Sequence, residues 1–375
     1  MSGRRPLAAL LLALLLLPVP ARAAVAPPAV GARGAALMEA ETGRLLFAQA
    51  SDARLPMAST TKIMTALIAL ERCSVDEMVT VPREAYGVEG SSMYLNAGEE
   101  LLLSDLLYGL MLVSGNDAAV AIACHVAGSV EAFAALMNER ARELGCTDTH
   151  FVTPNGLPDD DHYTTAADLC RIACAAMQNE AFAALVGTTY HETSSGDKTR
   201  TLKNKNKVLW QYEGGCGVKT GYTDAAGRCL VFAAEREGTR LVGVVLNCPD
   251  MWNAAYALLD YGFAAYQTRL IVDAGACVGY AAVDGGVKNG LAIFTKQAIL
   301  YPLQRDGGDE VAFRIDCADT LQAPVAAGQA AGTLTLLVNG REAASVPLVT
   351  EESVTAANVG FYLQRILHAL SLIHI

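Results

Sequence analysis

The chain of 375 residues carries 39 acidic and 28 basic side chains, a net charge of −11, and is long enough for two domains. It has no basic stripe, and this acidic balance argues against nucleic-acid binding, which depends on clustered lysine and arginine. The six histidines form neither a His-Glu-x-x-His motif nor a ligand cluster, so we expect no metal and no cofactor.

Residues 1–23 have the layout of a secretory signal peptide. Arg4 and Arg5 precede an apolar stretch, and a small-residue cleavage site ends at Ala23. Because the apolar stretch is too short to span a bilayer, a transmembrane helix is the weaker interpretation. We therefore expect an exported protein. Export permits disulfides, yet the ten cysteines stand singly in apolar contexts, so we favour buried free thiols.

The predicted first domain covers residues 24–266. Hairpins are predicted at both of its ends, from residues 35–40 with 44–49 and from residues 229–234 with 240–246. Helical patterns dominate between them, among them 101–112, 118–127 and 130–144, and a last helix is expected over 251–266. Strands at both ends with helices between predict an α/β (α+β) domain in which one antiparallel sheet is covered by helices.

Ser59 and Lys62 form a Ser-x-x-Lys motif before a helical run over 62–70. Positions three apart share a helix face, so the lysine amine can reach the serine hydroxyl. A lysine that burial and a second cation keep neutral can activate this weak nucleophile. If this motif is considered alone, a helix N-cap is a better explanation of Ser59 than a nucleophile. A second Ser-x-x-Lys, Ser195 with Lys198, lies in a loop that fixes no spacing, and we interpret it as incidental.

A polar break between two apolar helical patterns contains Ser114, Gly115 and Asn116. Such a break places hydroxyl and amide groups on a loop that faces a cleft. Ser114 can then relay a proton between a lysine and a leaving amine, and Asn116 can hold a substrate amide. The alternative is a capping loop with Asp117 as the helix N-cap.

Lys219, Thr220 and Gly221 precede the second predicted hairpin, with Thr223 just behind them. Gly221 lets a substrate backbone lie alongside the strand. The lysine and the two threonines offer a cation and two hydroxyls suited to a carboxylate. A surface turn is the alternative. With three motifs in this order, the sequence predicts a serine enzyme that acylates on a peptide or β-lactam carbonyl without a histidine.

The region 268–350 consists of short β-type runs and is predicted to form a small all-β domain. Its firmest signal is a hairpin in which 334–338 precede an Asn-Gly turn. Residues 359–375 then form an amphipathic stretch with an apolar stripe of Leu363, Ile366, Leu367, Leu370 and Ile373. Three interpretations of this stretch stay open: an interfacial membrane anchor with Arg365 as its one fixed positive charge, a helix packed on the β domain, or the end of an incomplete chain.

The motifs together make the chain similar to the low-molecular-mass penicillin-binding proteins that are serine-type D-alanyl-D-alanine carboxypeptidases. The likeness covers roughly residues 30–350 and includes the runs at 90–95, 105–110, 114–119, 154–157, 219–223 and 258–263. It implies a β-lactamase/transpeptidase-like domain, a C-terminal β domain and often an amphipathic membrane anchor. It also implies a place in peptidoglycan biosynthesis, outside the cytoplasm, on the outer face of the bacterial cytoplasmic membrane where an anchor is present.

The resemblance implies catalytic roles for the first two motifs. Ser59 would be the acylated nucleophile and Lys62 its general base, while Ser114 and Asn116 would complete the proton and amide contacts. The backbone N–H groups of Ser59 and Tyr222 would form the oxyanion hole. The substrate would be a peptidoglycan stem peptide ending in D-Ala-D-Ala, whose terminal D-alanine leaves before water resolves the acyl-enzyme. Penicillins would acylate the same serine.

For the third motif, the resemblance implies that Lys219, Thr220 and Thr223 bind the terminal carboxylate beside Gly221. The chain departs from the family pattern at one point. Family members often place an arginine near the start of the final helix, where it helps to hold the carboxylate, but residues 249–253 contain no basic side chain. Carboxylate recognition would then rest on Lys219 and the threonines.

Two alternatives to a carboxypeptidase stay open. A serine β-lactamase uses the same motif positions, but we would expect an aspartate in place of Gly115 and a Glu-x-x-Leu-Asn pattern, which is absent between 145 and 200. A non-enzymatic penicillin-binding sensor would acylate once and stay acylated. Sequence separates this last alternative poorly, because sensing depends on the deacylation rate.

Overall fold

The computed structural model describes residues 24–371, so the predicted signal peptide over 1–23 and Ile373 of the apolar stripe lie outside the described residues. The described chain forms two compact units, one over Val25–Tyr266 and one from Gln267 onward. That these units are independent domains with the predicted boundaries is still a prediction.

The first unit is built from short strands and helices that alternate irregularly along the chain. Its strands are β1 (Gly34–Glu39), β2 (Leu45–Gln49), β3 (Met78–Thr80), β4 (Glu100–Leu102), β5 (Tyr190–Ser195), β6 (Lys198–Lys203), β7 (Gly215–Thr223), β8 (Gly227–Arg236) and β9 (Thr239–Leu246). Its helices are α1 (Lys62–Arg72), α2 (Leu103–Leu112), α3 (Asn116–Ala127), α4 (Val130–Glu143), α5 (Ala166–Met177), α6 (Glu180–Gly187), α7 (Val208–Gln211) and α8 (Met251–Ala265).

Five strands of this unit form one antiparallel sheet in the order β2-β1-β9-β8-β7. Successive side chains of a strand point to opposite faces, so both faces bury apolar residues. Val231 packs in the core that contains α1, α3 and α5, whereas its neighbour Phe232 packs in the core that contains α8. The predicted antiparallel sheet covered by helices is confirmed, and β7 lies at its edge.

Two predicted helix starts are wrong by two residues. Leu101 and Leu102 belong to strand β4, which pairs with β3, so the following helix begins at Leu103. Leu101 is buried opposite Val79, and a short apolar run serves a strand as well as a helix. Helix α3 begins at Asn116, because Gly115 rather than Asp117 occupies the N-cap position.

The second unit is all-β apart from one terminal helix, which confirms the predicted class. Its elements are β10 (Tyr266–Val272), β11 (Cys277–Asp284), β12 (Gly290–Thr295), β13 (Ile299–Gln304), β14 (Val311–Cys317), β15 (Thr320–Gln322), β16 (Ala330–Val338), β17 (Arg341–Thr350) and α9 (Val359–Ser371). Six strands form one sheet in the order β14-β16-β17-β12-β11-β15. Asn339 and Gly340 both have positive φ between β16 and β17, as the predicted hairpin turn requires.

The terminal helix α9 exposes its apolar residues. The side chains of the predicted stripe that lie in the described chain, Leu363, Ile366, Leu367 and Leu370, are each at least half exposed. Within residues 24–371, no single helix is both long and apolar enough to cross a membrane, although the bent pairs α3–α4 and α5–α6 meet the length and composition criteria jointly.

Candidate active site

A cleft of about 560 Å³ lies in the first unit beside the edge strand β7. Its lining residues are Ser59, Ser91, Ser114, Lys205, Thr220, Gly221, Tyr222, Arg228, Met251 and Trp252. The cleft therefore brings together residues of all three sequence motifs, although the first and the last motif are more than a hundred positions apart in the chain. Edge strands leave backbone N–H and C=O groups free for an added strand, so an extended peptide can pair here.

Ser59 lies in a 3-10 turn over Ala58–Thr61 that leads directly into α1. Its side chain caps neither element, so the N-cap explanation of Ser59 does not hold. Ala58 has a φ of +48°, a strained value for a residue with a Cβ. Two threonine hydroxyls hold the turn: Thr60 donates to the carbonyl of Met57 at 2.6 Å, and Thr61 donates to that of Ala58 at 2.9 Å.

Lys62 is fully buried, and its Nζ has three partners. It lies 3.0 Å from Ser59 Oγ, 2.7 Å from Asn116 Oδ1 and 2.6 Å from the carbonyl oxygen of Asn155. Burial, followed by the charges of Lys219 and of Lys205, holds the pKa of Lys62 well below its usual value of 10.5.

The three partners decide how a neutral Lys62 amine is oriented. An amide oxygen and a carbonyl oxygen only accept, so they take the two N–H bonds of the neutral amine. The amine lone pair then faces Ser59 Oγ, and the serine hydroxyl donates to it. This arrangement directs the serine proton toward a base before any substrate arrives, which is what nucleophilic serine chemistry requires.

Lys219 is the second buried lysine of the site. Its Nζ donates to Ser114 Oγ at 3.0 Å and to the carbonyl of Thr220 at 2.9 Å. Burial, and then the charge of Lys205, lower the pKa of Lys219 to about 7. Ser114 has a φ of +67°, so the backbone of this loop is strained where the hydroxyl meets Lys219.

The segment before α2 fixes the amide of Asn116. Asn116 Nδ2 donates to the carbonyl of Glu89 at 2.5 Å, which leaves Oδ1 for Lys62. Gly90 has a φ of +91°, and a Cβ there would lie 2.8 Å from Asn116 Nδ2. Asp117 accepts from three groups in the same segment, Ser92 Oγ, Met93 N and Leu95 N, and so ties that segment to the start of α3.

Gly221 lets β7 lie directly against the serine turn. A Cβ on Gly221 would lie 3.1 Å from the carbonyl oxygen of Met57 and 3.1 Å from the backbone nitrogen of Ser59. Thr220 lines the cleft. Thr223 does not, and its Oγ1 accepts from the backbone N–H of Ala226 at 3.1 Å in the turn after β7.

A loop over 153–162 supports the site, and the sequence analysis noted its run 154–157 without giving it a role. Besides the Asn155 carbonyl that binds Lys62, Gly156 has a φ of +83° and packs so closely that a Cβ would collide with the carbonyl of Ala58. The Pro-Asn-Gly run at 154–156 was a usable signal of a special turn, but nothing local indicates which element it supports.

His162 is a further residue that the sequence did not single out. Its Nδ1 accepts backbone N–H bonds from Val152 at 3.0 Å and Thr153 at 3.3 Å, so the ring proton is on Nε2. Nε2 lies 2.8 Å from Thr61 Oγ1 and donates to it, which continues the chain of hydrogen bonds to the carbonyl of Ala58. Burial lowers the pKa of His162 to about 4.

The second Ser-x-x-Lys motif is separate from the cleft. Ser195 ends β5 and Lys198 begins β6, and the two residues face each other in a hairpin. Ser195 Oγ donates to the carbonyl of Glu100 at 2.8 Å. Neither residue is among those that line the cleft.

One cluster corrects the expectation that histidines join no ligand set. Cys73, Glu77 and His125 bring three potential metal-ligating atoms within 4.8 Å of one another outside the cleft. Cys73 and Glu77 are 4 residues apart and Glu77 and His125 are 48 residues apart, a spacing that matches no metal-binding motif in the sequence. His125 Nε2 lies 2.9 Å from Glu77 Oε2, and Glu77 Oε1 accepts from Ser74 N at 2.7 Å, so hydrogen bonds already satisfy the glutamate. All ten cysteines are free thiols.

Comparison with known proteins agrees with this geometry. The D-alanyl-D-alanine carboxypeptidase family matches residues 21–250, and the C-terminal domain of penicillin-binding protein 5 matches residues 266–356. D-alanyl-D-alanine carboxypeptidase DacF of Bacillus subtilis is 34% identical over 89% of this chain and 88% of its own length. D-alanyl-D-alanine carboxypeptidase DacA of Haemophilus influenzae is 31% identical over 89% of this chain and 88% of its own length.

Solved structures extend the likeness to three dimensions. Penicillin-binding protein 5 from Haemophilus influenzae superposes with a TM-score of 0.75 at 31% identity, over 88% of this chain and 99% of that one. The Streptomyces K15 DD-transpeptidase superposes with a TM-score of 0.61 at 37% identity, over 64% of this chain and 100% of that one. On the family match and on relatives that share nearly the whole length, the chain belongs to the D-alanyl-D-alanine carboxypeptidase family of penicillin-binding proteins.

Proposed function

We propose that the protein is a serine D,D-carboxypeptidase that removes the terminal D-alanine from peptidoglycan stem peptides through an acyl-enzyme, and that penicillins acylate the same serine. The observation that carries this proposal is the buried amine of Lys62, 3.0 Å from Ser59 Oγ, with its other two partners restricted to accepting hydrogen bonds. Membership of the carboxypeptidase family supports the same reaction.

In the acylation step, Ser59 Oγ attacks the carbonyl carbon of the penultimate D-alanine and its proton passes to Lys62. The backbone N–H groups of Ser59 and Tyr222 stabilise the oxyanion, as donors aimed at developing charge do. The peptide C–N bond then breaks, and the proton that Lys62 received from Ser59 passes through the Ser114 hydroxyl to the leaving amine. The leaving group is free D-alanine.

In the deacylation step, a water molecule attacks the ester carbonyl and gives its proton to the same base. The C–O bond to Ser59 breaks, the serine oxygen recovers its proton from Lys62, and the shortened peptide leaves. Water and the leaving amine occupy similar positions relative to the ester, so one base serves both steps by microscopic reversibility.

The substrate lies as an added strand along β7. Asn116 holds a substrate amide, and Gly221 allows the close approach of backbone to backbone. Lys219 and Thr220 interact with the terminal carboxylate. Thr223 Oγ1 accepts from Ala226 N in the turn, so its O–H is left to donate to the carboxylate from the end of the strand.

Two observations favour a carboxypeptidase over the alternatives. Among the described residues that line the cleft, none is acidic, whereas a β-lactamase of this motif type needs a glutamate to activate its deacylating water. Gly115 also stands where such an enzyme would be expected to have aspartate. A penicillin sensor needs the same acylation site and differs in deacylation, so turnover of a peptide is the discriminating property.

We also propose export, with the predicted signal over 1–23 removed and the enzyme acting outside the cytoplasm. The apolar side chains that α9 exposes are suited to contact with the surface of the cytoplasmic membrane. This attachment is independent of the catalytic proposal, since it concerns a different unit of the chain.

The test is incubation of the purified protein with a pentapeptide that ends in D-Ala-D-Ala. We expect release of free D-alanine, which stops in Ser59→Ala and persists in the matched control Ser195→Ala. A fluorescent penicillin should label the parent and Ser195→Ala but not Ser59→Ala. Labelling without release of D-alanine would contradict the carboxypeptidase and favour a sensor, and rapid hydrolysis of penicillin would favour a β-lactamase.

A further inference from the structure

Two charged side chains line the cleft, Lys205 and Arg228. Lys205 is already engaged, because its Nζ donates to the carbonyl of Val113 at 2.9 Å and lies 3.4 Å from Ser91 Oγ. The exposed guanidinium of Arg228 has no hydrogen bond or ion pair with any residue in the described chain. An arginine carries five donors in a planar fork that suits a carboxylate, so Arg228 is available to bind an anion in the cleft.

The strand register places Arg228 opposite Tyr222, the residue whose backbone N–H would complete the oxyanion hole. Arg228 of β8 pairs with Tyr222 of β7, and directly opposite residues of an antiparallel pair point to the same face. Thr220 is two residues from Tyr222 and so shares that face. The side chains of Thr220, Tyr222 and Arg228 therefore share one face of the strand pair, and all three residues line the cleft that Ser59 also lines.

The same wall continues into the start of α8. Leu230, the partner of Thr220 in the register, packs in the core that α8 covers, and Met251 and Trp252 adjoin that core and line the cleft. Met251 and Trp252 belong to the stretch 249–253, which contains no basic side chain. Arg228 of β8 therefore supplies a cation to the cleft, whereas residues 249–253 supply none.

Charge at neutral pH also distinguishes Arg228 from the buried lysines. With a pKa of about 7, Lys219 carries a full charge on only about half of the molecules at pH 7. An arginine stays protonated throughout this range. Asp224, in the turn after β7, accepts from the Tyr222 hydroxyl at 2.9 Å.

We propose that Arg228 binds the terminal carboxylate of the substrate and makes the enzyme select peptides that end in a free carboxylate. The carboxylate carbon of D-Ala-D-Ala is one residue beyond the scissile carbonyl, a step of about 3.8 Å along the chain, so one cleft wall can serve both groups. The inference rests on the proposed function, because it names the residue that recognises the leaving D-alanine.

The test compares two peptides that differ only at the C-terminus: one ends in D-Ala-D-Ala and the other in D-Ala-D-alaninamide. The amide has no charge for Arg228 to bind. We expect Arg228→Gln to lower kcat/KM for the acid about 10- to 100-fold, as loss of a charge-assisted hydrogen bond does, and to change kcat/KM for the amide less than about twofold. Arg228→Lys keeps the positive charge but lacks the planar guanidinium, so its kcat/KM for the acid peptide should lie between those of the parent and of Arg228→Gln.

The control is Arg72→Gln, which removes an exposed arginine at the end of α1, away from the cleft, and should leave both peptides unaffected. Acylation by benzylpenicillin and by its methyl ester provides a second, independent comparison of acid with neutral ligand. Equal selectivity for the acid in Arg228→Gln and in the parent would overturn the proposal. If the parent cleaves neither peptide, the proposed function itself fails, and the role of Arg228 falls with it.

Discussion

His162 provides a quantitative test of how the serine turn is held. Its Nδ1 accepts two backbone N–H bonds, so a proton there would replace an acceptor with a donor facing two donors. Burial lowers the pKa of the folded state from 6.5 to about 4. The folded protein therefore binds fewer protons at His162 than the unfolded chain does between these values, and acid favours unfolding.

The size of the effect follows from the two pKa values. The stabilisation is fully present above pH 6.5 and is lost as the pH falls toward 4. One pKa unit corresponds to about 1.4 kcal/mol, so the total is about 3 kcal/mol, of which about 2 kcal/mol is lost between pH 7 and pH 5.

The assay is urea unfolding of the parent and of His162→Gln at several pH values between 7 and 5. Other titrating groups are common to both proteins, so their contribution cancels in the difference. His162→Gln should be less stable at pH 7, and its disadvantage should shrink by about 2 kcal/mol at pH 5. A disadvantage that does not change with pH would refute the assignment of a neutral, accepting Nδ1.

Three further predictions follow from contacts in the first unit. Gly221→Ala should force β7 away from the serine turn and slow acylation by penicillin about 100-fold with a native circular dichroism spectrum. Lys219→Gln should raise the pKa of Lys62 by removing a nearby cation, so the acylation rate should rise only at higher pH than in the parent. Arg200→Gln should lower the free energy of unfolding by about 3–5 kcal/mol, because it leaves the buried carboxylate of Glu99 without its 2.7 Å partner.

Each of these predictions has an outcome that would contradict it. Acylation of Gly221→Ala at the parental rate would mean that β7 can shift to accept the new Cβ without moving Ser59 out of position. An unchanged pH profile in Lys219→Gln would show that burial alone sets the pKa of Lys62. For Arg200→Gln the matched control is Arg54→Gln, which breaks a mostly exposed pair with Asp148 and should cost less than about 1 kcal/mol. Equal losses in both variants would contradict the burial argument.

The sequence predicted the sheet and most helices because their signals are local. The turn before β2, the Asn-Gly turn after β16 and the 3.6-residue periodicity of α3 and of α4 each depend on residues that are close in the sequence. The predicted start of α2 was wrong because the apolar pair Leu101 and Leu102 fits a strand or a helix, and pairing with β3 decided between them. The predicted start of α3 was wrong because Gly115, rather than Asp117, is the N-cap.

Of the site, sequence reasoning named the motif residues, whose roles stay predictions, but not the groups that reach the site from distant parts of the chain. The Lys62 amine and the Ser59 hydroxyl are three residues apart and could be paired on a helix face. The carbonyl of Asn155, the ring of His162 and the guanidinium of Arg228 reach the same site from loops and strands 93 to more than 160 residues away. Their roles depend on long-range packing, which no local pattern encodes.

A pH titration of the Lys62 side chain by NMR, in protein carrying labelled lysine and assigned with Lys62→Arg, tests the central claim most directly. A neutral amine at 62 is the premise of every chemical step proposed for Ser59. The account predicts that the pKa of Lys62 lies well below the ordinary lysine value, because burial and the nearby charge of Lys219 disfavour the ammonium form. A Lys62 side chain that stays protonated up to about pH 10, with a pKa like that of an exposed lysine, would contradict it.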